Sequence, residues 1–113
     1  MIIWQESKDL AVTIYKLSNE GKLSKDFGLR DQIRRAAVSI SSNIAEGEEA
    51  GFDKQSIKYM HIAKASLAEL FTQIQIAYAI GYLDKLDYED IIETIEKILK
   101  QIKSLIKHRQ QFL

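Results

Sequence analysis

The stretch "MHIAKASLAELFTQIQIAYAIG", residues 60–81, decides the fold because its apolar residues recur at alternating steps of three and four. Such steps place side chains on one face of an α-helix, and their sustained alternation is typical of helices that pack side by side along their length. The pattern predicts one long helix over about residues 54–81, with Asp53 able to cap its first turn. The stripe consists of Met60, Ala63, Leu67, Leu70, Ile74, Ala77 and Gly81.

The same spacing recurs on both sides of this stretch and predicts three more helices, over about residues 2–19, 29–46 and 87–110. Gly47 is the predicted stop of the second helix, and Asp84 and Asp87 are candidate caps of the last. No segment alternates apolar and polar residues with a period of two, so no strand is expected. Four helices with short connections predict an all-α fold: an antiparallel up-down-up-down four-helix bundle, formed by residues 1–113 as a single domain.

The composition restricts the classes of function. The 16 basic and 16 acidic residues cancel, so any binding of nucleic acid must come from local patches. Cysteine is absent, which excludes disulfides, thiol catalysis and thiolate metal sites. No apolar run is long enough to span a membrane and no export signal is evident, so we expect a cytoplasmic protein with no membrane contact.

Catalytic and cofactor motifs are missing from the sequence. A di-iron bundle would need Glu-x-x-His pairs, and none occurs; His61 and His108 are the only histidines and lack metal-ligand spacing. The glycines form no phosphate-binding loop. The serines of the second helix have no strand-to-helix elbow. We therefore expect no enzymatic activity, no metal and no cofactor.

Basic residues supply the candidate contacts to phosphate. Arg30 and Arg34 repel each other at a spacing of four unless an anion lies between them, either a carboxylate from another helix or subunit or a phosphate. Residues 97–113 hold five basic residues and no acid, whereas residues 84–96 hold six acids and one lysine. This polarity also suits the helix dipole. If Lys97 and Lys100 pair with glutamates four residues earlier, three basic residues stay free, so the predicted phosphate contacts are Arg30, Arg34, Lys103, Lys107 and Arg109.

The second helix has two further faces with distinct compositions. Val38 and Ala45 point away from the core and are flanked by Ser41 and Ser42. This small, uncharged face is predicted to meet another subunit, the alternative being a surface that merely tolerates small residues. Arg35 is expected to pair with Asp31. The second of these faces is predicted to form a partly buried polar network with the third helix around Ser66 and Glu69. The predicted members of the network are Gln32, Arg35, Ser39, Asn43, Glu46 and Glu69.

Two segments carry a family resemblance: "LRDQIRRAAVSISSNIAEG", residues 29–47, and "YMHIAKASLAELFTQIQIAYAIGYL", residues 59–83. They resemble the bacterial four-helix-bundle family of ribosomal RNA intervening-sequence proteins, which includes the accessory variability proteins of diversity-generating retroelements. The most specific part is the signature Gln-x-x-Arg-Arg-Ala…Ser-Asn-Ile-Ala-Glu-Gly, here at residues 32–36 and 42–47. The chain departs from the family pattern at Ser41, where proline is usual, and at Ala50, where arginine is common, in an acidic loop.

The resemblance implies a ring, typically a pentamer, with a basic surface that binds nucleic acid and without enzymatic activity. Some members of the family are encoded in insertions within large-subunit ribosomal RNA genes, and the retroelement members bind a reverse transcriptase. We expect a homo-oligomer that binds RNA or DNA without reading sequence. The alternative is an oligomeric adaptor for a protein partner, such as a reverse transcriptase, without contact to nucleic acid.

Overall fold

The computed structural model describes all 113 residues and contains four α-helices and no strand. This confirms the predicted all-α class. The helices are α1 (Ile2–Ser18), α2 (Phe27–Glu49), α3 (Lys54–Ala79) and α4 (Lys85–Gln110), with one 3-10 turn at Leu23–Lys25 before α2. None of the four helices combines the length and the apolarity that crossing a membrane would require.

One core runs through the molecule, which measures 47 × 21 × 20 Å. It contains 23 buried apolar residues drawn from all four helices and from the two connections that hold Leu23 and Leu83. The heptad stripe of α3 is buried from Met60 to Ala77. α2 packs against α1 and α3, α3 also packs against α4, and α1 touches α4 less than it touches α2.

Three aspartates cap the helices and set where they begin. The carboxylates of Asp26, Asp53 and Asp84 accept backbone N–H bonds at 3.2, 3.0 and 2.7 Å in the first turns of α2, α3 and α4. Each bond satisfies one of the amides that a helix start leaves without a partner. Asp26 is not among the predicted caps. Because it caps α2, this helix begins at Phe27, earlier than predicted. At α4 the cap is Asp84, and Asp87 lies inside the helix.

The ends of α2 and α3 show glycine in two different roles. Gly81 has φ +84° and lies beyond the end of α3, where Tyr82 N–H donates to the carbonyl of Ala77 at 2.8 Å, as in a Schellman motif. Gly47, by contrast, does not stop α2, which continues to Glu49. A Cβ at Gly47 would lie 2.7 Å from Cε of Met60 and 3.2 Å from the carbonyl oxygen of Ser56. Gly47 therefore permits the close approach of α2 and α3.

Substitution of Gly47 by alanine tests this packing role. Gly47→Ala is expected to destabilise the fold by about 1–3 kcal/mol, because overpacking outweighs the better helix propensity of alanine. Gly28→Ala is the matched control, since the nearest atom to its added Cβ is 3.9 Å away. We expect that variant to gain about 0.5–1 kcal/mol. Urea unfolding measures both, and equal effects would contradict the packing role.

Candidate nucleic-acid interface

The five basic residues predicted to meet phosphate lie at two separate places. Arg30 and Arg34 belong to the first half of α2, whereas Lys103, Lys107 and Arg109 belong to the end of α4. Arg109 contacts the last turns of α2 near Gly47, which is 13 residues, or about 20 Å of helix, beyond Arg34. The five residues therefore do not form one patch within a single chain.

Arg30 is held by its own neighbourhood. Its Nη1 donates to the carbonyl of Ser24 at 3.1 Å, its Nε donates to Oδ1 of Asp31 at 3.0 Å, and its guanidinium lies 4.7 Å from the ring centroid of Phe27. The expected pairing of Asp31 with Arg35 is thus wrong, because Arg30 takes the carboxylate. Arg35 is exposed and forms no ion pair.

Arg34 joins α2 to the end of α1. Its Nε donates to the buried hydroxyl of Ser18 at 2.7 Å, and its guanidinium lies 4.7 Å from the ring centroid of Tyr15. Both Nη nitrogens are left without a hydrogen-bond partner. Arg34 therefore has a structural contact on one side and unused donors on the other.

Arg109 requires the main correction to the predicted interface, because only 4% of it is exposed. Its Nη1 donates to the carbonyls of Gly47 and Gly51, each at 2.9 Å, and to the hydroxyl of Ser56. Its Nη2 pairs with the carboxylate of Glu48. A guanidinium with these partners is not available to phosphate, so the expectation for Arg109 was wrong.

A signal in the sequence could have revealed this buried role. Arg109 continues the stripe of Ile98, Ile102 and Ile106, which are all buried, at steps of three and four. A charged residue on a core stripe must find buried partners. Its partners Glu48 and Ser56 lie more than 50 residues away in sequence and could not be identified from local spacing.

Arg109→Ala is expected to lower the free energy of unfolding by about 3–5 kcal/mol, since it leaves the carboxylate of Glu48 and two carbonyls without their donor. The control is Lys107→Ala, an exposed cation two residues earlier, whose effect should stay within about 0.5 kcal/mol. Denaturant unfolding of both variants provides the measurement. Similar losses in the two would contradict the anchoring role of Arg109.

The outward face of α4 carries three exposed lysines, Lys100, Lys103 and Lys107, which we call the lysine stripe. Lys97 does not pair with Glu93 as expected; its Nζ lies 3.6 Å from Oε1 of Glu6 on α1. The expected pair of Glu96 with Lys100 is not formed either. The patch without ion pairs therefore gains Lys100 and loses Arg109, and it still contains three cations.

Exposed aromatic rings lie at the same end of the molecule as the lysine stripe. The ring centroids of Phe52 and Phe112 are 5.4 Å apart, and those of His108 and Phe112 are 5.2 Å apart. Both phenylalanines are more than half exposed. Cations beside exposed rings can hold a nucleic-acid strand through its phosphates and through stacking on unpaired bases.

The predicted subunit contact lies on a surface that α1 extends. Val38, Ser42 and Ala45 are exposed, and the partly buried Ser41 donates its hydroxyl to the carbonyl of Val38 at 3.1 Å. Neighbouring α1 adds exposed large side chains to the same side. We call this surface the α1/α2 face; it comprises Trp4, Val12, Tyr15, Val38, Ser41, Ser42 and Ala45.

The predicted polar network is smaller than expected. Ser39 and Ser66 share a hydrogen bond of 2.8 Å, and Nδ2 of Asn43 donates to the carbonyl and the hydroxyl of Ser39 at 2.8 and 3.1 Å. The remaining four predicted members are exposed and make no side-chain hydrogen bond, because they lie at the rim between α2 and α3 instead of inside it; these are Gln32, Arg35, Glu46 and Glu69.

An acidic groove of about 230 Å³ separates α1 from α4 and contains Glu6, Asp9 and Asp90. Near its end, desolvation and the neighbouring carboxylates, of which Asp84 has the largest influence, raise the pKa of Asp87. No group of three or more acidic or histidine side chains is close enough to hold a metal ion.

The raised pKa of Asp87 predicts a pH-dependent stability difference. Below the ordinary pKa of 3.8 the carboxyl of Asp87 is uncharged in both the folded and the unfolded chain, so it does not affect stability. Once the pH exceeds the raised pKa of the folded state, the carboxylate is charged and destabilises the fold in full. Asp87→Asn should therefore raise Tm at pH 7, and this gain should disappear on acidification to about the ordinary value. Thermal unfolding across this range tests the sign; a variant less stable than wild type at pH 7 would contradict it.

Comparisons with known proteins agree on the family. A model of the 23S rRNA-intervening sequence protein family matches residues 1–104. A solved structure from Bacteroides thetaiotaomicron, described as a protein with unknown function from the S23 ribosomal protein family, is similar with a TM-score of 0.86 and 27% identity over 94% of this chain and 96% of that chain. No protein with a curated description matches this chain. The chain therefore belongs to the family of 23S rRNA intervening-sequence proteins.

Proposed function

We propose that this protein is a non-enzymatic homo-oligomer, a ring and in particular a pentamer, that binds nucleic acid without reading sequence. The observation that carries the proposal is the lysine stripe: Lys100, Lys103 and Lys107 are exposed on one face of α4 and lack ion pairs. They lie within about 10 Å along the helix, as expected for steps of three and four residues. Cations that are not engaged with carboxylates can replace the counterions of several phosphates.

The chemistry of the stripe favours contact with the backbone of the nucleic acid. A lysine ammonium is a point charge, whereas specific reading of bases relies chiefly on bidentate groups inserted into a groove. The rings of Phe52 and Phe112 support stacking on unpaired bases, which is tolerant of sequence. The family name refers to 23S rRNA, and this makes RNA the first ligand to test.

Assembly into a ring explains how a neutral chain could bind a polyanion. The net charge of +0 provides no attraction over the whole molecule, and three lysines in one chain neutralise few phosphates. Each additional subunit contributes another lysine stripe, so the number of phosphates neutralised grows with the ring. The exposed apolar side chains of the α1/α2 face are the proposed place of subunit contact.

Two contacts between distant residues support the antiparallel up-down-up-down order that we propose for the bundle. The hydroxyl of Tyr82, just after α3, donates to Oδ2 of Asp26, just before α2, at 3.0 Å. At the other end, Arg109 near the end of α4 contacts Gly47 near the end of α2. These contacts place the start of α2 beside the end of α3, and the ends of α2 and α4 beside each other.

A salt titration tests the binding of nucleic acid. The logarithm of the affinity for a generic RNA strand and for a duplex should fall linearly with the logarithm of salt concentration. In the double variant Lys103→Gln, Lys107→Gln this slope should be smaller by about 1.4 on the single strand and about 1.8 on the duplex for each subunit that contacts the strand. Fluorescence anisotropy with labelled oligonucleotides provides the affinities.

The matched control removes the same charge from the acidic half of the molecule. The double variant Lys16→Gln, Lys85→Gln alters exposed lysines at the opposite end from the lysine stripe and should leave the slope unchanged. Equal slopes in the two double variants would overturn the role of the stripe. Absence of any binding at low salt by an intact oligomer would favour the adaptor for a protein partner.

A further inference from the structure

The outward side of α3 presents a second apolar surface that no part of the chain covers. Ile62, Ile76 and Ile80 are 38%, 46% and 51% exposed; the first two lie within α3, and Ile80 directly follows its last residue. Exposed surfaces of soluble helices usually carry lysine, glutamate or glutamine. Between Glu69 and Asp84 the chain has no charged residue at all. We call this surface the α3 face.

The α3 face has the spacing of a helix that packs against another helix. Ile62, Glu69 and Ile76 follow one another at steps of seven, which aligns them along the helix on the side away from the buried stripe of Met60 and Leu67. Glu69 is the one acid of this row, and it is exposed and forms no ion pair. The row thus consists of two large apolar side chains around one carboxylate without a partner.

The α1/α2 face has the complementary charge. Arg34, Val38 and Ala45 lie along one side of α2 at steps of four and seven. The acids of this side, Asp31 and Glu49, lie at its two ends, and Asp31 pairs with Arg30. Arg34 adjoins the α1/α2 face at Tyr15 and has two Nη nitrogens without hydrogen bonds, whereas the ammonium of Lys8 pairs with Asp9 at 3.2 Å. An apolar surface bordered by the guanidinium of Arg34 and an apolar surface with one central carboxylate are suited to each other.

We propose that the α3 face receives the α1/α2 face of a second copy of this chain, with Glu69 of one subunit opposite Arg34 of the next. The inference rests on the proposed assembly and identifies its interface. The two faces belong to different helices of one subunit, so their contact is head-to-tail and every subunit uses both. Such a heterologous contact can close into a ring, whereas pairing of two α1/α2 faces would end at a dimer.

Complementation between two broken interfaces tests the head-to-tail contact. Val38→Glu places a charge on the α1/α2 face, and Ile76→Glu places one on the α3 face; each variant alone should be monomeric by light scattering. Mixed in equal amounts, they should form a 1:1 dimer and nothing larger, because each keeps one intact face. Circular dichroism checks that both variants are folded.

The matched control is Leu86→Glu, which adds the same charge at an exposed side chain outside both faces and should keep the mass of the wild type. If Val38→Glu is monomeric while Ile76→Glu assembles fully, the α3 face is not the counterpart and the proposed ring survives with another surface. A mixture that stays monomeric also overturns the head-to-tail contact. A wild type that is monomeric at micromolar concentration overturns the inference together with the proposed ring.

Reversal of charge tests the register of the contact. Arg34→Glu and Glu69→Arg should each shift the midpoint of assembly to at least tenfold higher protein concentration, and the chain that carries both changes should return close to wild type. If both single variants assemble like the wild type, Arg34 and Glu69 do not face each other across the interface. The same conclusion follows if the double variant assembles no better than the single variants. Binding to RNA by the lysine stripe is measured separately.

Discussion

The buried guanidinium of Arg109 is the contact on which the arrangement of the other elements depends. A charged group that is withdrawn from water must find donors or acceptors for its polar atoms, or folding loses several kcal/mol. Its acceptors are the carbonyls of Gly47 and Gly51 and the hydroxyl of Ser56, which belong to the end of α2, the connection and the start of α3. One side chain of α4 therefore satisfies carbonyls that a helix end leaves free and holds the start of α3 against the end of α2. The carboxylate of Glu48 compensates the charge.

The helices could be predicted from the sequence because burial of one stripe imposes a period that local spacing reveals. Their ends were less predictable, since Gly47 and Gly81 look alike in sequence, although one permits close packing and the other a positive φ. The exposure of Lys103 and Lys107 followed from their position on the outward face. The burial of Arg109 did not follow in the same way, because a charged side chain near a helix end is usually exposed, whereas its place on the core stripe favours burial. Its partners are brought to it only by tertiary packing, which no local pattern reports.

The zero net charge conceals a strong separation of charge along α4. The acids of its first half lie beside Glu6, Asp9 and Glu20 of the α1 region. Desolvation, together with the carboxylates of Asp84, Asp90 and Glu20, raises the pKa of Asp87. The lysines of its second half extend beyond that acidic groove. Helix polarity favours the same order, since acids suit the start of a helix and bases its end. The charge sum of the chain therefore hides the fact that α4 itself has one acidic end and one basic end.

The acidic groove between α1 and α4 also determines how the bundle opens. α1 contacts α4 less than it contacts α2, and the groove between them is lined mainly by polar side chains, with Leu10 and Ile91 as its apolar residues. Local opening of a protein begins where buried apolar contact is least. The seam between α1 and α4 is therefore where opening begins, whereas α2 and α3, which pack together most extensively, separate last.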